Sequence, residues 1–461
     1  MPKFGLNQTA KILEGRILNG VKDLVFFEYH FDSRKIKENG LFFALKSEDN
    51  DGHNYVHKLD GMKYVCAVVS EDFSTDGIDI PLIIVKDPFE AVLKLAGAVR
   101  KLYHKIKYIG ITGSAGKTTT KEFLYQILSS ERKVFRSFLN WNNWLGLPFS
   151  LLQIDGDEDF AIFELGMSDP GIGEIELLTS ILRPDIAVIL NVLPVHLEFL
   201  KTIENVAKAK AEILNYLNSD SIAFISGDFD TLVNQVKSKL GRIEYFGKSA
   251  GVNKILLGAI SRNEDITSFE VEFFGIKTVF KTKLISHAHI ENLFVAIIIA
   301  KHLGMKNMDI QRMLWSLKPL LRRGSILTVD NKTIIDESYN SNPEALKKTL
   351  SWIDIEYGKN KIAVLGDMLE LGEKEKKYHF DVGLFFAKLG FSKLITVGKL
   401  SEEIANGAKK GGFPSDNIIS IVNVKDAVKS IGNIMNEAVI LFKSSRDSGL
   451  NEIVEKLYGQ K

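Results

Sequence analysis

The stretch Lys107-Tyr-Ile-Gly-Ile-Thr-Gly-Ser-Ala-Gly-Lys-Thr-Thr-Thr120 constrains this chain more than any other. An apolar run, a glycine-rich turn, and then apolar residues at Phe123, Leu124, Ile127 and Leu128 read as strand, tight loop and helix. Gly113 and Gly116 let successive backbone N–H groups face one anion, Lys117 adds a point charge, and Thr118 offers a hydroxyl to a divalent cation. Thr112, Gly113, Ser114, Ala115, Gly116, Lys117, Thr118 and Thr119 are therefore expected to cradle the phosphates of ATP. Lys117 is expected to face solvent. The pattern G-x-x-x-x-G-K-[ST] requires glycine at position 111, which is Ile111 here, so the match is to the shorter form T-G-S-x-G-K-T.

Such a loop needs a parallel α/β sheet around it, and the 461 residues leave room for about three domains. A hydrophobic share of 45% supports several packed cores. The net charge of +1, from 59 basic and 58 acidic residues, gives no global field toward nucleic acid or an anionic membrane, so anionic substrates must be captured locally. One cysteine, Cys66, excludes an internal disulfide framework. The start Met1-Pro-Lys-Phe-Gly lacks the shape of a secretory signal, and Leu293 to Ala300 is too short to span a bilayer. A cytoplasmic protein without membrane insertion is expected.

Residues 1–98 hold short β-like runs around Leu24–Phe27, Leu41–Ala44, Ala67–Val69 and Leu82–Val85, and read as a small α/β domain. Residues 99–319 alternate strands at 107–112, 160–165, 186–192 and 221–226 with helical stretches, the rhythm of a parallel sheet carrying the P-loop. A second such rhythm fills 320–461, with strands near 333–336, 361–366, 393–398 and 438–443, and predicts a Rossmann-like domain without a P-loop of its own. Leu320-Leu-Arg-Arg-Gly324 is a plausible hinge.

Three side chains in the central domain stand out. Glu164 ends the apolar strand Phe160-Ala-Ile-Phe-Glu164, where ligands of open α/β sheets bind, and His196 follows the next strand at the same edge. On a helix over 203–217, Lys210 shares a face with Ile203, Val206, Ile213, Leu214 and Leu217, whereas Lys208 falls on the polar side. A free ammonium in that apolar stripe costs several kcal/mol, on the order of the buried-ion penalty, unless it snorkels from the edge.

The segments Thr112–Thr118, Asn140-Trp-Asn-Asn-Trp-Leu-Gly-Leu-Pro148, Phe163-Glu-Leu-Gly-Met167 and Val195-His-Leu-Glu198 occur in the order found in the Mur ligases, and the chain resembles that family over its whole length. Within the family, Ala207-Lys-Ala-Lys-Ala-Glu212, Asp336-Glu-Ser-Tyr-Asn-Ser-Asn-Pro343 and Gly366-Asp-Met-Leu-Glu-Leu-Gly372 point to the type that adds D-alanyl-D-alanine to UDP-N-acetylmuramoyl-tripeptide. The resemblance implies a UDP-sugar domain, an ATP domain and an amine domain in that order, acting as a monomer. It implies that Lys117 and Thr118 serve ATP and a first Mg²⁺, while Glu164, His196 and a carbamylated Lys210 hold a second. Asn292 would contact adenine, Arg323 would be the hinge arginine of the ATP site, and Tyr339 and Asn340 would contact the nucleotide from the third domain. Ser33, Arg34, Lys46 and His53, in segments similar to the family's UDP-binding domain, would grip the uridine diphosphate. Asn140, Asn142 and Asn143 would face the muramoyl-peptide.

The chain departs from the family at three places. Ala288 replaces the histidine usual before the adenine-contacting asparagine, leaving His287 or His289 to take its part. Ser444 stands for a glycine in Lys443-Ser-Ser-Arg446, and Leu139 for the glycine that commonly precedes Asn140. The alternatives are a related ligase with another amine partner, a relative of folylpolyglutamate synthase, and a non-catalytic ATP-binding regulator.

Overall fold

The computed structural model describes every residue except 21–22, 140, 168–171, 238–241, 250, 359, 433–437 and 460–461. Among the described residues, three large sheets follow one another along the chain, as the alternating apolar runs require, besides a two-stranded antiparallel pair of Phe4–Gly5 with Val25–Phe26. The first has five strands in the order Arg16–Leu18, Leu82–Val85, Cys66–Ser70, Gly40–Phe43 and Glu28–His30, parallel except at Arg16–Leu18. Strand periodicity sends Leu41 and Phe43 into one core and Phe42 and Ala44 into another, so this sheet is covered on both faces.

The helix Pro88–Leu102 starts at Asp87, whose carboxylate accepts from the Phe89 N–H at 2.7 Å, with proline in the first turn. It runs across the joint expected at 98. Its buried face, Val92, Leu95, Ala96 and Val99, belongs to a core that holds Phe43 of the first sheet and Phe163 of the second. Beyond 98, Arg100 donates to the carbonyls of Leu182 at 2.7 Å and Arg183 at 2.9 Å. The helix is thus shared by the two domains. Phe31 against Phe149, 4.9 Å between ring centres, and Phe89 against Trp144, 5.0 Å, add to the same contact.

The central sheet has nine strands in the order Ile276–Thr282, Ile266–Phe273, Ile255–Asn263, Arg242–Gly247, Ile222–Ser226, Ile186–Ile189, Lys107–Thr112, Phe160–Glu164 and Val134–Arg136. It is parallel from Val134–Arg136 as far as Ile255–Asn263 and antiparallel beyond, which departs from the uniform parallel rhythm expected of the sequence. The reason is local: Thr267, Phe269 and Val271 are buried and their neighbours are not, the half-buried alternation of an antiparallel ribbon. Helix His287–His302 packs on this sheet with Leu293 through Ala300 all buried, and no described helix is long and apolar enough to cross a membrane.

The third sheet runs Ser325–Val329, Lys332–Glu337, Val439–Lys443, Lys361–Gly366, Lys393–Val397 and Ile418–Ile421, parallel apart from its opening hairpin. That hairpin turns on Asp330 and Asn331, both at positive φ (47° and 62°), as a two-residue turn of this hand requires.

Candidate active site

Strand Lys107–Thr112 lies between Phe160–Glu164 and Ile186–Ile189, so the segments that leave all three converge at one edge of the sheet. The phosphate loop, Glu164 and the 190–196 segment therefore meet. Helix Lys117–Leu128 begins at Gly116, whose φ of 84° favours glycine, and a side chain there would strike Asn292 Oδ1. The side-chain amide of Asn191 clasps the loop, accepting from Ala115 N–H at 2.9 Å and donating to Ala115 O at 3.1 Å.

Lys117 is not solvent-facing as the sequence suggested. It is half-buried, and its ammonium folds back onto the Gly113 carbonyl at 2.7 Å, within the loop it is meant to serve. Burial holds its pKa below the usual lysine range, Glu164 opposes that shift, and Arg323 reinforces it. A phosphate would replace the carbonyl as partner and restore the charge balance.

Glu164 is almost fully buried and strongly engaged. Its Oε2 accepts from Thr118 Oγ1 at 3.0 Å and Asn142 Nδ2 at 3.3 Å. Its Oε1 has no aligned hydrogen bond but lies 3.1 Å from the ammonium of Lys121. A buried carboxylate oxygen with spare lone pairs, next to a hydroxyl, is a donor set suited to Mg²⁺, which takes oxygen ligands.

Lys117, Thr118, Asn142, Glu164 and Asn191 line a cavity of about 600 Å³ that also takes in His196, His289 and Asn292. The third domain completes it with Arg323, Tyr339, Asn340 and Glu370. The Arg323 guanidinium sits 3.8 Å from the centre of the Tyr339 ring, and Arg446 is 5.9 Å from the same ring. Asn340 presents its carbonyl to Lys443 at 3.2 Å, and Lys443 pairs with the buried Glu337 at 2.8 Å.

His196 Nδ1 donates to Glu370 Oε2 at 2.6 Å, a bond from the central domain to the third. A carboxylate on one ring nitrogen orients the other, as around metal-bound imidazoles. Lys210 is 1% exposed on the helix Ile203–Ala211, which ends sooner than the sequence suggested and continues as a 3₁₀ turn over Glu212–Leu214. Its ammonium forms no salt bridge among the described residues, and it does not line the cavity. Burial first, then the charge of Lys117, holds its pKa well below the usual lysine value.

His287 and His289 differ in burial. His287 is exposed, whereas His289 lines the cavity and donates from Nε2 to the Arg323 carbonyl at 2.7 Å, joining the central domain to the hinge.

The first-domain candidates lie outside this cavity. Arg34 is exposed and doubly bonded to Asp32 at 2.9 Å, holding that carboxyl at about 2, while Ser33 beside it is half-buried. Lys46 is exposed, 3.9 Å from Asp51. His53 differs from the expected ligand-facing group. Its Nδ1 donates to Asp51 at 2.6 Å and its Nε2 accepts from Ser70 N–H at 3.0 Å, so both ring nitrogens brace the fold. Asn142 and Asn143 line the main cavity, and Asn140 falls outside the described residues.

Sequence reasoning missed Asn191, Lys121 and Glu370. Lys121 carried a signal, since it stands one helical turn after Lys117 and is followed by the apolar Phe123 and Leu124.

A phosphate loop whose cavity is completed by a second α/β domain defines an enzyme that uses a nucleoside triphosphate. Residues 111–300 match the Mur ligase middle domain and residues 322–446 the Mur ligase, glutamate ligase domain. The chain is 31% identical over 463 residues to the UDP-N-acetylmuramoyl-tripeptide--D-alanyl-D-alanine ligase of Bacillus subtilis, covering 99% of each chain. The chain belongs to the Mur ligase family. Among solved structures, MurF from Acinetobacter baumannii superposes with a TM-score of 0.90 at 24% identity over the whole of both chains. MurF ligase from Thermotoga maritima in complex with ADP gives 0.81 at 28% identity, covering 95% of this chain and 98% of that one.

Proposed function

We propose that this chain is the ATP-dependent ligase that joins D-alanyl-D-alanine to UDP-N-acetylmuramoyl-tripeptide in the cytoplasmic synthesis of peptidoglycan precursors, releasing ADP and phosphate. The observation that carries this reading is full-length similarity to ligases of that name, joined to a single cavity that brings Lys117, Glu164 and His196 against Arg323 and Tyr339 of the third domain.

A peptide carboxylate is a poor electrophile. Its oxygen attacks the γ-phosphorus of ATP, ADP departs, and an acyl phosphate forms; the neutral amine then attacks the carbonyl carbon, phosphate leaves with the C–O electron pair, and the nitrogen gives up one proton, which the departing phosphate can take. Lys117 moves from the Gly113 carbonyl to the transferring phosphoryl group and neutralises its charge. Thr118 would hold one Mg²⁺, and Glu164, His196 and Lys210 a second, supplying further charge neutralisation. Asn142 and Asn143 orient the acyl donor, while Arg323 and Tyr339 cover the nucleotide and keep water from the acyl phosphate.

Burial first, and then the charge of Lys117, shift Lys210 toward the neutral amine, the form that attacks CO₂. The nitrogen then loses a proton and Lys210 becomes an anionic carbamate with two oxygen donors. Carbamylation would replace a buried amine that has no salt bridge among the described residues. Arg34, Ser33 and Lys46 supply local positive charge and hydrogen bonds for the uridine diphosphate, and the enzyme acts as a monomer.

An assay of ADP and phosphate release across a panel of UDP-muramoyl-peptides and dipeptides tests the reading. Release that requires both a UDP-muramoyl-tripeptide and D-alanyl-D-alanine is expected. Turnover with folates and glutamate, or none with any muramoyl-peptide, would overturn it.

A further inference from the structure

Lys121 is completely buried, yet neither the phosphate loop nor the proposed chemistry uses it. Its ammonium donates to the carbonyls of Ser137 at 2.7 Å and Leu139 at 2.8 Å, and its charge lies 3.1 Å from Glu164 Oε1. Glu122, 3.4 Å away, is itself paired with Arg136 at 2.5 Å, so the closest acid is Glu164. One side chain thus ties together the helix after the phosphate loop, the carboxylate of the cavity and the segment that leads into Asn142 and Asn143.

Leu139 gives that tie a particular purpose. Its φ is 43°, in the left-handed region that costs a residue with a Cβ on the order of 1–2 kcal/mol. Leucine, unlike glycine, does not adopt this conformation readily, and here its carbonyl is held by Lys121. From this corner the chain reaches Asn142, whose side chain donates to Glu164 Oε2 and whose carbonyl accepts from Gly166 N–H at 2.6 Å. The carboxylate and the asparagine segment therefore share one anchor on the phosphate-loop helix.

We propose that Lys121 is a positioning residue, which fixes Glu164 relative to Thr118 and holds the strained Leu139 corner so that Asn142 and Asn143 face the cavity. It acts through Glu164 and the loop and does not touch substrate. The metal half of this inference rests on the reading of Glu164 as a Mg²⁺ ligand.

The test uses the full-length protein, with Mn²⁺ as the metal probe in its ADP complex, followed by water-proton relaxation without turnover. Metal-free ADP binding, KM and kcat for each substrate, and thermal unfolding are measured alongside. Lys121→Met is expected to weaken Mn²⁺ at least tenfold in the ADP complex, to raise KM for the UDP-linked peptide at least tenfold, and to leave metal-free ADP affinity within about threefold. Adding Leu139→Gly relieves the strained corner and restores much of the KM but none of the Mn²⁺ affinity, because glycine replaces no charge. If Lys121→Met does not fold, Lys121→Gln, which keeps an N–H donor and removes the charge, is read the same way. A folded variant that holds Mn²⁺ within threefold of the parent, or an ADP affinity that falls in step with Mn²⁺, overturns the proposal. So does a double variant without KM recovery. Glu164→Gln separates the two readings. Unchanged Mn²⁺ affinity there removes Glu164 as a ligand, whereas a loss there with none in the Lys121 variants removes only the positioning role.

Discussion

Two buried lysines of the central domain solve the same physical problem in opposite ways. Lys121, on the phosphate-loop helix, carries a charge that two carbonyls and a carboxylate surround. Lys210, on the helix Ile203–Ala211, is equally buried but has no salt bridge among the described residues, and burial drives it toward the neutral amine. Depth of burial alone therefore does not tell what a lysine is for. The partners do: a satisfied ammonium is a structural tie, and an unsatisfied one is a reactive amine or an energetic cost.

Lys117, between these extremes, gives the largest expected effect. Lys117→Ala should lower kcat by several orders of magnitude, as losses of phosphoryl-transfer stabilisation do, while the melting temperature stays within a few degrees because only one carbonyl bond is lost. Near-normal turnover in the folded variant would remove the loop from the chemistry. A collapse in melting temperature would place Lys117 with Lys121 as a structural lysine.

Stability should then separate the two buried lysines by sign. Lys121→Met removes the ammonium that faces Glu164 and leaves two carbonyls unpaired, at a cost of about 3–5 kcal/mol of unfolding free energy. Lys210→Met should stabilise the metal-free protein in bicarbonate-free buffer, because it removes an amine whose protonation the folded state disfavours. The folded pKa of Lys210 lies below the unfolded value, so the unfolded chain binds the extra proton and the penalty is greatest at low pH. The gain from Lys210→Met is thus expected to shrink as pH rises from about 7 to 9, approaching the unfolded lysine pKa near 10.4. Denaturant titrations at several pH values check this, and equal signs for the two variants would break the comparison.

Activity sharpens it further. Lys210→Ala is expected to lose roughly a hundredfold or more in kcat, the scale for disturbing a metal ligand, and to recover part of it with a small carboxylic acid supplying the missing oxygens. Lys121→Met should show no such recovery. An unmodified Lys210 in the Mg²⁺-nucleotide complex, with full activity in bicarbonate-free buffer, would argue against the carbamate.

The smallest effect belongs to the first domain. Arg34 is exposed, held by Asp32, and outside the main cavity, so its contacts with substrate should count equally in the ground and transition states. Arg34→Ala should raise KM for the UDP-linked substrate about tenfold and leave kcat within about twofold. A fall in kcat alone would remove Arg34 from ground-state binding.

Some of this is legible from residue order. The phosphate loop needs glycine where the backbone turns left-handed and approaches Asn292, and Glu164 and His196 follow apolar strands whose ends must share one edge. The stripe containing Lys210 is readable because helical periodicity places side chains without reference to anything else. Local rules of this kind also give the alternation of strands and helices.

Tertiary structure decided what depends on partners distant in sequence. His289 rather than His287 reaches the hinge because only His289 is turned inward onto the Arg323 carbonyl. His53 departs from its expected role because Asp51 and Ser70 consume both of its nitrogens. Pro88–Leu102 crosses an expected domain boundary because its apolar face has cores to fill on both sides. Lys121 looks like any polar residue early in a helix until the 137–139 segment and Glu164 fold around it. Periodicity along one element sets where a side chain points, whereas the energy of a buried charge is set by groups that only the complete fold brings within hydrogen-bonding distance.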